Sequence, residues 1–210
     1  MARILITSGP TRQYLDPVRY LSNASSGRMG ACLAAAAIEA GHQVVIVSGP
    51  VSVDYPADAK IIEVTTTQEM LDAAVEHFPE CDGVIGAAAP CDFQPEVMAV
   101  QKLKKQGDGM TLKLIETPDI LKSLGEVKKS DQWSIGFALE SENGVENAVA
   151  KLKRKKCDLV VLNSPPAIDA KETHIRILDS DKNIIKEISD TKRLAADAIM
   201  DCIQTRFLGS

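Results

Sequence analysis

The stretch Leu21-Ser22-Asn23-Ala24-Ser25-Ser26-Gly27-Arg28-Met29-Gly30 joins a short apolar β-rich run, Arg3 to Thr7, to an Ala-rich helical segment, Met29 to Ala40, closed by Gly41. A helix opening there presents backbone N–H groups without intrahelical partners and roughly half a positive charge, so Ser25, Ser26 and Gly27 are placed to receive phosphate oxygens. Arg28 offers a charge-assisted contact beside them. The alternative is that Ser25 or Ser26 only caps the helix, and the local sequence does not separate the two readings.

Three further stretches carry chemistry-bearing residues. The polar loop from Ser8 to Tyr20 leaves the C-terminal end of the first strand, the edge where open α/β sheets bind ligands. Within it Gly9 permits a tight turn or close approach of a ligand, while Asp16 and Arg19 either pair to stiffen the loop or stand near substrate. Past a second apolar run, Gly83 to Ala88, the small residues around Ala88 let a flat ring approach the backbone. Asp92 can bind a metal or a ribose hydroxyl there, or serve as an ordinary turn acid. The run Gln101-Lys102-Leu103-Lys104-Lys105 precedes a glycine turn, and its lysines either close over phosphates or form a solvated face. Gly136 and Phe137, near a strand end, either line a base pocket or belong to the core, and Leu162-Asn163 ends another strand. The cluster Lys151, Lys153, Arg154, Lys155, Lys156 reads as the outer face of a helix near its C-terminus and is assigned no chemistry.

The elements that must position these residues alternate. Strand-like runs at 4–7, 43–48, 61–64, 83–88, 133–138 and 158–162 are interleaved with helices near 29–40, 68–78 and 145–155, the pattern of a parallel sheet covered by helices. Thr66-Thr67-Gln68-Glu69 is a capping box for the second helix. Residues 89–120, with Pro90, Pro95, Pro118 and a Gly107-Asp108-Gly109 turn, form an irregular flap, and residues 172–189 form a β-hairpin before a closing helix. At 210 residues a single domain is expected.

Composition narrows the function classes. A net charge of −5 argues against a general nucleic-acid binder while leaving room for a local basic pocket. No apolar run reaches the roughly 18 residues of a membrane span, and the start passes directly into a strand, so a cytoplasmic protein is expected. The five cysteines are scattered, without a C-x-x-C pair or partnering histidines, and indicate neither a disulfide framework nor a zinc site. Cys91 has no histidine near it in sequence, so a nucleophilic role is not favoured. His42, His77 and His174 are isolated and read as surface or structural residues. Neither a Walker A sequence nor G-x-G-x-x-G occurs, which disfavours a P-loop enzyme or a dehydrogenase.

Taken in order, the Gly9-Pro10-Thr11-Arg12 and Asp16 to Gly30 block, Ala87-Ala88 with Asp92-Phe93-Gln94-Pro95, Lys102-Leu103-Lys104-Lys105, Thr117-Pro118-Asp119-Ile120-Leu121 and Gly136-Phe137-Ala138-Leu139-Glu140 resemble the phosphopantothenate–cysteine ligase family. The resemblance covers nearly the whole chain and is closer to the bacterial, CTP-dependent type. It implies a Rossmann-like three-layer fold, usually dimeric, that activates the carboxylate of 4′-phosphopantothenate with a nucleoside triphosphate. Pyrophosphate leaves, and the amine of L-cysteine attacks the resulting anhydride. CTP is the expected co-substrate with ATP the alternative, Mg²⁺ is expected, and flavin is not, because the flavin-dependent decarboxylase of fused members is not matched.

The resemblance also implies residue roles. Asn23 and Lys102 would be catalytic, with Asn23 and Arg19 at the substrate. Gly9, Ser25, Ser26, Gly27, Ala88, Asp92, Lys102, Lys104, Lys105, Gly136 and Phe137 would bind nucleotide, and Asp92 the metal. The implied partners are the small substrates, a second copy of the chain and, in addition, a separate phosphopantothenoylcysteine decarboxylase, with no nucleic acid and no membrane. Three positions depart from the family pattern. Pro90-Cys91 replaces Val-Ala, Thr117 replaces Asn, and Ser164-Pro165-Pro166 follows Asn163 where Asp is frequent; the first and last bear on base selectivity. Two competing functions remain at this level, a noncatalytic nucleotide- or phosphopantothenate-binding regulator and an NAD(P)-binding oxidoreductase. The latter usually needs Tyr-x-x-x-Lys, and no Tyr follows Tyr55.

Overall fold

The structure, a computed structural model, describes residues 1–105, 107, 109–140, 143–163 and 172–209. The departure at Ser164-Pro165-Pro166 lies outside them. Strand β1 (Arg3–Ser8) is followed by the short pair β2 (Arg12–Tyr14) and β3 (Tyr20–Ser22), then α1 (Arg28–Glu39), β4 (Gln43–Ser48), β5 (Lys60–Glu63) and α2 (Thr67–His77). Next come β6 (Gly83–Gly86), β7 (Phe93–Pro95), β8 (Leu114–Glu116), α3 (Ile120–Val127), β9 (Trp133–Leu139), α4 (Gly144–Lys155) and β10 (Leu159–Asn163). The hairpin β11 (Glu172–Leu178) and β12 (Ile184–Thr191) leads to α5 (Lys192–Ile203), which ends in one wide turn, Gln204–Leu208.

The main sheet runs β12-β11-β10-β9-β6-β1-β4-β5, with β10 through β5 parallel and the β11–β12 hairpin joined antiparallel to β10. Chain order therefore reverses between β1 and β6, the switch point at which open α/β sheets bind ligands beyond the carboxyl ends of their strands. Helices cover both faces. Ile4 and Ile6 point with Leu33, Ala34 and Ala37 of α1 and Ala195, Ala196 and Ile199 of α5 into one core. Leu5, between them, points the other way onto Met70 and Ala74 of α2 and Leu124 of α3, as the two-residue period of a strand requires. Because both faces are covered, Ile4, Leu5 and Ile6 are fully buried, and β1 reads as a continuous apolar run rather than an alternating one.

The capping box at α2 is present: Thr66 accepts from the Glu69 backbone N–H, and the Glu69 carboxylate accepts from the Thr66 N–H. Within the irregular flap, β7 and β8 pair antiparallel.

Candidate functional site

The turn into α1 does not use its serines as caps. Its N-cap is Gly27, at φ +76° and with no side-chain cap bond, so neither Ser25 nor Ser26 performs the capping role that the local sequence left open. Only glycine adopts that left-handed geometry without strain, and here a Cβ would also meet Val51 Cγ1 at 2.7 Å. The first helical bond runs from the Ala31 N–H to the Gly27 carbonyl, so the N–H groups just before it stay outside the ladder, while that of Ser25 donates to the Asn23 carbonyl (3.0 Å). Gly30 brings this turn onto the end of β1, since a Cβ there would lie 2.0 Å from Ser8 Oγ.

The second wall is the segment after β6. The Ala89 N–H donates to the Gly9 carbonyl (2.9 Å), continuing the parallel pairing past the named strands. Asn23 Nδ2 donates to the Pro90 carbonyl at 2.9 Å, with a longer contact to Ala89 O at 3.4 Å, and ties the turn before α1 to this wall. Behind the wall lies a buried polar network. The Cys91 N–H donates to Thr11 Oγ1 (2.8 Å), which shares a hydrogen bond with Thr67 Oγ1 (2.8 Å), while Gln13 Nε2 donates to Thr67 Oγ1 (2.7 Å). Thr117 donates its hydroxyl to Cys91 O (2.5 Å) and its N–H to Asp92 O (2.9 Å). The peptide groups on both sides of Cys91 are thereby fixed, and the exposed Asp92 side chain leaves from a rigid base. The Cys91 thiol is buried and donates to carbonyls, and burial raises its pKa; this is the environment of an inert thiol rather than a nucleophile.

Two cavities open at this edge. One, of about 510 Å³, is lined by Asn23, Ser25, Ser26, Gly27, Ala88, Asp92 and Phe137 together with Lys151, Asn163 and Lys192. The other, of about 520 Å³, carries Asp92, Glu116, Asp119, Lys122, Arg154 and Lys155. Ala88, Asp92, Phe137 and Lys151 border both, so the two form adjoining lobes, each within the size range of small-molecule sites.

Of the residues expected from sequence, seven therefore meet in one cavity. The others lie elsewhere. Gly9 is buried at φ +75°, its Cα against Val51, and shapes the turn behind the wall. Gly136 is buried under Leu121, whose Cδ2 would sit 2.8 Å from a Cβ there, and lines only a small void between α3 and α4. Arg19 is paired with the buried carboxylate of Asp16 and lines neither large cavity. Lys102, Lys104 and Lys105 are exposed and also outside the lining.

Of the cluster expected to form only an outer helix face, Lys151 borders both cavities, and Arg154 and Lys155 border one. The Lys151 ammonium lies 3.2 Å from Glu140 Oε1 at the junction of the lobes, while Lys153, two residues on, is exposed and lines neither. Lys192, the first residue of α5, is a further cation the sequence reading missed. The arrangement can hold a polyanion over the α1 N-terminus, between cations contributed by α4 and α5. Among the described residues no three His, Cys, Asp or Glu side chains form a metal cage. The Asp92 carboxylate accepts no hydrogen bond from another described residue, and a single free carboxylate suits a Mg²⁺ ion that keeps most of its oxygens from phosphate and water.

The chain matches the family described as DNA/pantothenate metabolism flavoprotein C-terminal domain over residues 1–207. It is 44% identical over 203 residues (94% of this chain, 56% of the relative) to a cysteine/cysteine sulfinic acid decarboxylase of an unknown prokaryotic organism. It is 45% identical over 165 residues (78% of this chain, 40% of the relative) to the coenzyme A biosynthesis bifunctional protein CoaBC of Bacillus subtilis (strain 168). The chain thus spans about half the length of these curated relatives. Among solved structures, the C-terminal domain of a CoaBC protein superposes with a TM-score of 0.83 at 34% identity, covering 100% of this chain and 98% of that one.

Proposed function

The chain belongs to the DNA/pantothenate metabolism flavoprotein C-terminal domain family, and from that premise we propose that it is a ligase joining 4′-phosphopantothenate to L-cysteine in coenzyme A biosynthesis. The observation that carries this reading is the convergence of Asn23, the Ser25-Ser26-Gly27 turn, Ala88, Asp92 and Phe137 on one cavity at the sheet's switch point. A nucleoside triphosphate, CTP by resemblance to the bacterial type, lies with its phosphates over the α1 N-terminus and its ring against Ala88 and Phe137. A carboxylate oxygen of phosphopantothenate attacks the α-phosphorus, the bond to the β-phosphate oxygen breaks, and pyrophosphate departs. The N–H groups ahead of α1, with Lys151 and Lys192, hold the charge that accumulates on the phosphate oxygens. Lys102, Lys104 and Lys105 contribute further positive charge from the flap. Asp92 would hold Mg²⁺, which would supply positive charge against the triphosphate and so favour departure of pyrophosphate.

In the second half-reaction the cysteine amine attacks the acyl carbon, CMP leaves with the bonding electrons, and the amine loses a proton to give the amide. Asn23 is anchored by its bond to Pro90, and the 3.4 Å contact to Ala89 is the weaker of its two donations. That N–H is the one available to the oxyanion that develops on the acyl oxygen. Both half-reactions proceed without a covalent enzyme intermediate, in keeping with the buried state of Cys91. Self-association into a dimer, association with a flavin-dependent decarboxylase and a cytoplasmic location belong to the same reading. No helix among the described residues is long and apolar enough to cross a membrane.

Oxygen transfer tests the proposal. With phosphopantothenate labelled with ¹⁸O in its carboxylate, one labelled oxygen should appear in CMP. Label in inorganic phosphate, with CDP as co-product, would replace the acyl-nucleotide by an acyl-phosphate route.

A further inference from the structure

The loop between β2 and β3 is tied to the lysine run 87 residues further on by a set of bonds that pairing between Asp16 and Arg19 does not require. The Asp16 carboxylate is completely buried. Its Oδ1 accepts from the N–H groups of Val18 (2.8 Å) and Arg19 (2.9 Å), which closes the loop on itself. Its Oδ2 accepts from Arg19 Nε (3.0 Å) and Nη2 (2.5 Å), and also from the backbone N–H of Leu103 at 3.1 Å. Arg19 Nη2 in turn donates to the carbonyl of the same Leu103 at 2.6 Å. One peptide residue thus has both its donor and its acceptor taken by one ion pair, much as a neighbouring strand would take them. A third bond, from the Ala99 N–H to the Leu15 carbonyl (2.9 Å), approaches from the same side.

Leu103 is half-buried and stands between exposed Lys102 and Lys104. We propose that Asp16 is a positioning residue for the lysine run, holding Leu103 by its backbone so that Lys102 and Lys104 project from a fixed point beside the loop that carries Arg19. Asp16 itself touches no substrate. The charged form is maintained although burial opposes it, because the Arg19 guanidinium and three backbone N–H donors hold the carboxyl well below the usual carboxylate range. The inference rests on the ligase reading for its consequence, that the lysines meet the triphosphate, while the anchoring itself stands on the geometry.

Asp16→Asn tests it. Asparagine keeps an oxygen for the Val18 and Arg19 N–H groups but turns an amide donor toward the Leu103 N–H and the Arg19 guanidinium. The expected result has three parts: amide hydrogen exchange at Ala99 and Leu103 at least about tenfold faster, KM for CTP raised about tenfold, and KM for cysteine within about twofold of the parent. A folded variant with unchanged exchange and unchanged KM for CTP overturns the proposal. So does a uniform loss in every kinetic constant with exchange at Leu103 unaltered, which is the signature of a general structural role. If Asp16→Asn does not fold, Leu103→Pro removes the Leu103 N–H together with its side chain while leaving the Asp16–Arg19 pair in place; with Leu103→Ala as the control for the side chain, it must give faster exchange at Ala99 and the same split in KM, and equal effects from the two variants overturn the proposal. If the parent protein releases no pyrophosphate, the ligase reading fails, and the exchange measurement still decides the anchoring.

Discussion

Asn23 Nδ2 lies 2.9 Å from the Pro90 carbonyl, and this one bond joins the turn that opens α1 to the segment that leaves β6. The two walls of the cavity come from positions 67 residues apart, and Asn23 is the side chain that spans them. Its substitution therefore tests chemistry and assembly together.

Asn23→Asp keeps the shape and replaces the donor with a carboxylate facing two carbonyls. Amide formation should fall about 10²- to 10³-fold, the usual effect of losing one oxyanion donor, while pyrophosphate release continues and the acyl-nucleotide accumulates. Quenched-flow analysis of the intermediate checks this. Full amide turnover would remove Asn23 from the mechanism.

Gly30→Ala places a Cβ 2.0 Å from Ser8 Oγ, so α1 must move off the end of β1. The expected cost is about 2 kcal/mol of stability from overpacking, read as a lower urea midpoint, with a raised KM for the nucleotide because the helix N-terminus is displaced.

Lys151→Gln should raise KM for the nucleotide about tenfold, the effect of losing one charge-assisted bond, whereas Lys153→Gln should leave it unchanged. Steady-state kinetics on the pair distinguishes a cavity cation from a solvated face. Equal effects from both would return the cluster to bulk electrostatics.

His42 sets a pH dependence. Its Nδ1 accepts from the Ala2 N–H (3.1 Å), and its Nε2 is buried without a hydrogen-bond partner among the described residues. Its pKa is lowered from 6.5, first by burial and then by the amino terminus, with Asp82 opposing. The unfolded chain thus takes up this proton before the folded protein does. Neutral His42 contributes its stability above about pH 6.5, and that contribution is lost as pH falls toward the depressed folded value. Urea titrations should show the parent losing more stability than His42→Gln between pH 7.5 and 5.5, and parallel losses would contradict the assignment.

The fold was largely legible because β1, β4 and β10 are mostly apolar runs, α1 closes at Gly41, and α2 opens with a capping box. The site was legible where it is local in sequence. Asn23 to Gly27 and Ala88 to Asp92 each follow a strand, and strand ends in such sheets converge. The capping alternative fell because Gly27 takes a positive φ, which a Ser-Ser-Gly string permits but does not announce. Lys151, Arg154 and Lys155 were missed because a cationic helix end reads as solvated, and only the packing of α4 beside β9 and β10 turns these three toward the cavities. Whether Gly136 lines a pocket or the core was open for the converse reason: what fills the space above a strand glycine, here Leu121 of α3, is a tertiary fact. The link from Asp16 to Leu103 bridges 87 residues through a backbone group, and side-chain patterns carry no trace of such a bond.

The most direct measurement is pyrophosphate release from CTP and from ATP, with Mg²⁺, in the presence and absence of phosphopantothenate and cysteine. The account predicts release from CTP that requires phosphopantothenate, with amide and CMP formed once cysteine is added. No release from either nucleotide by folded protein, in the presence of both substrates, would contradict it.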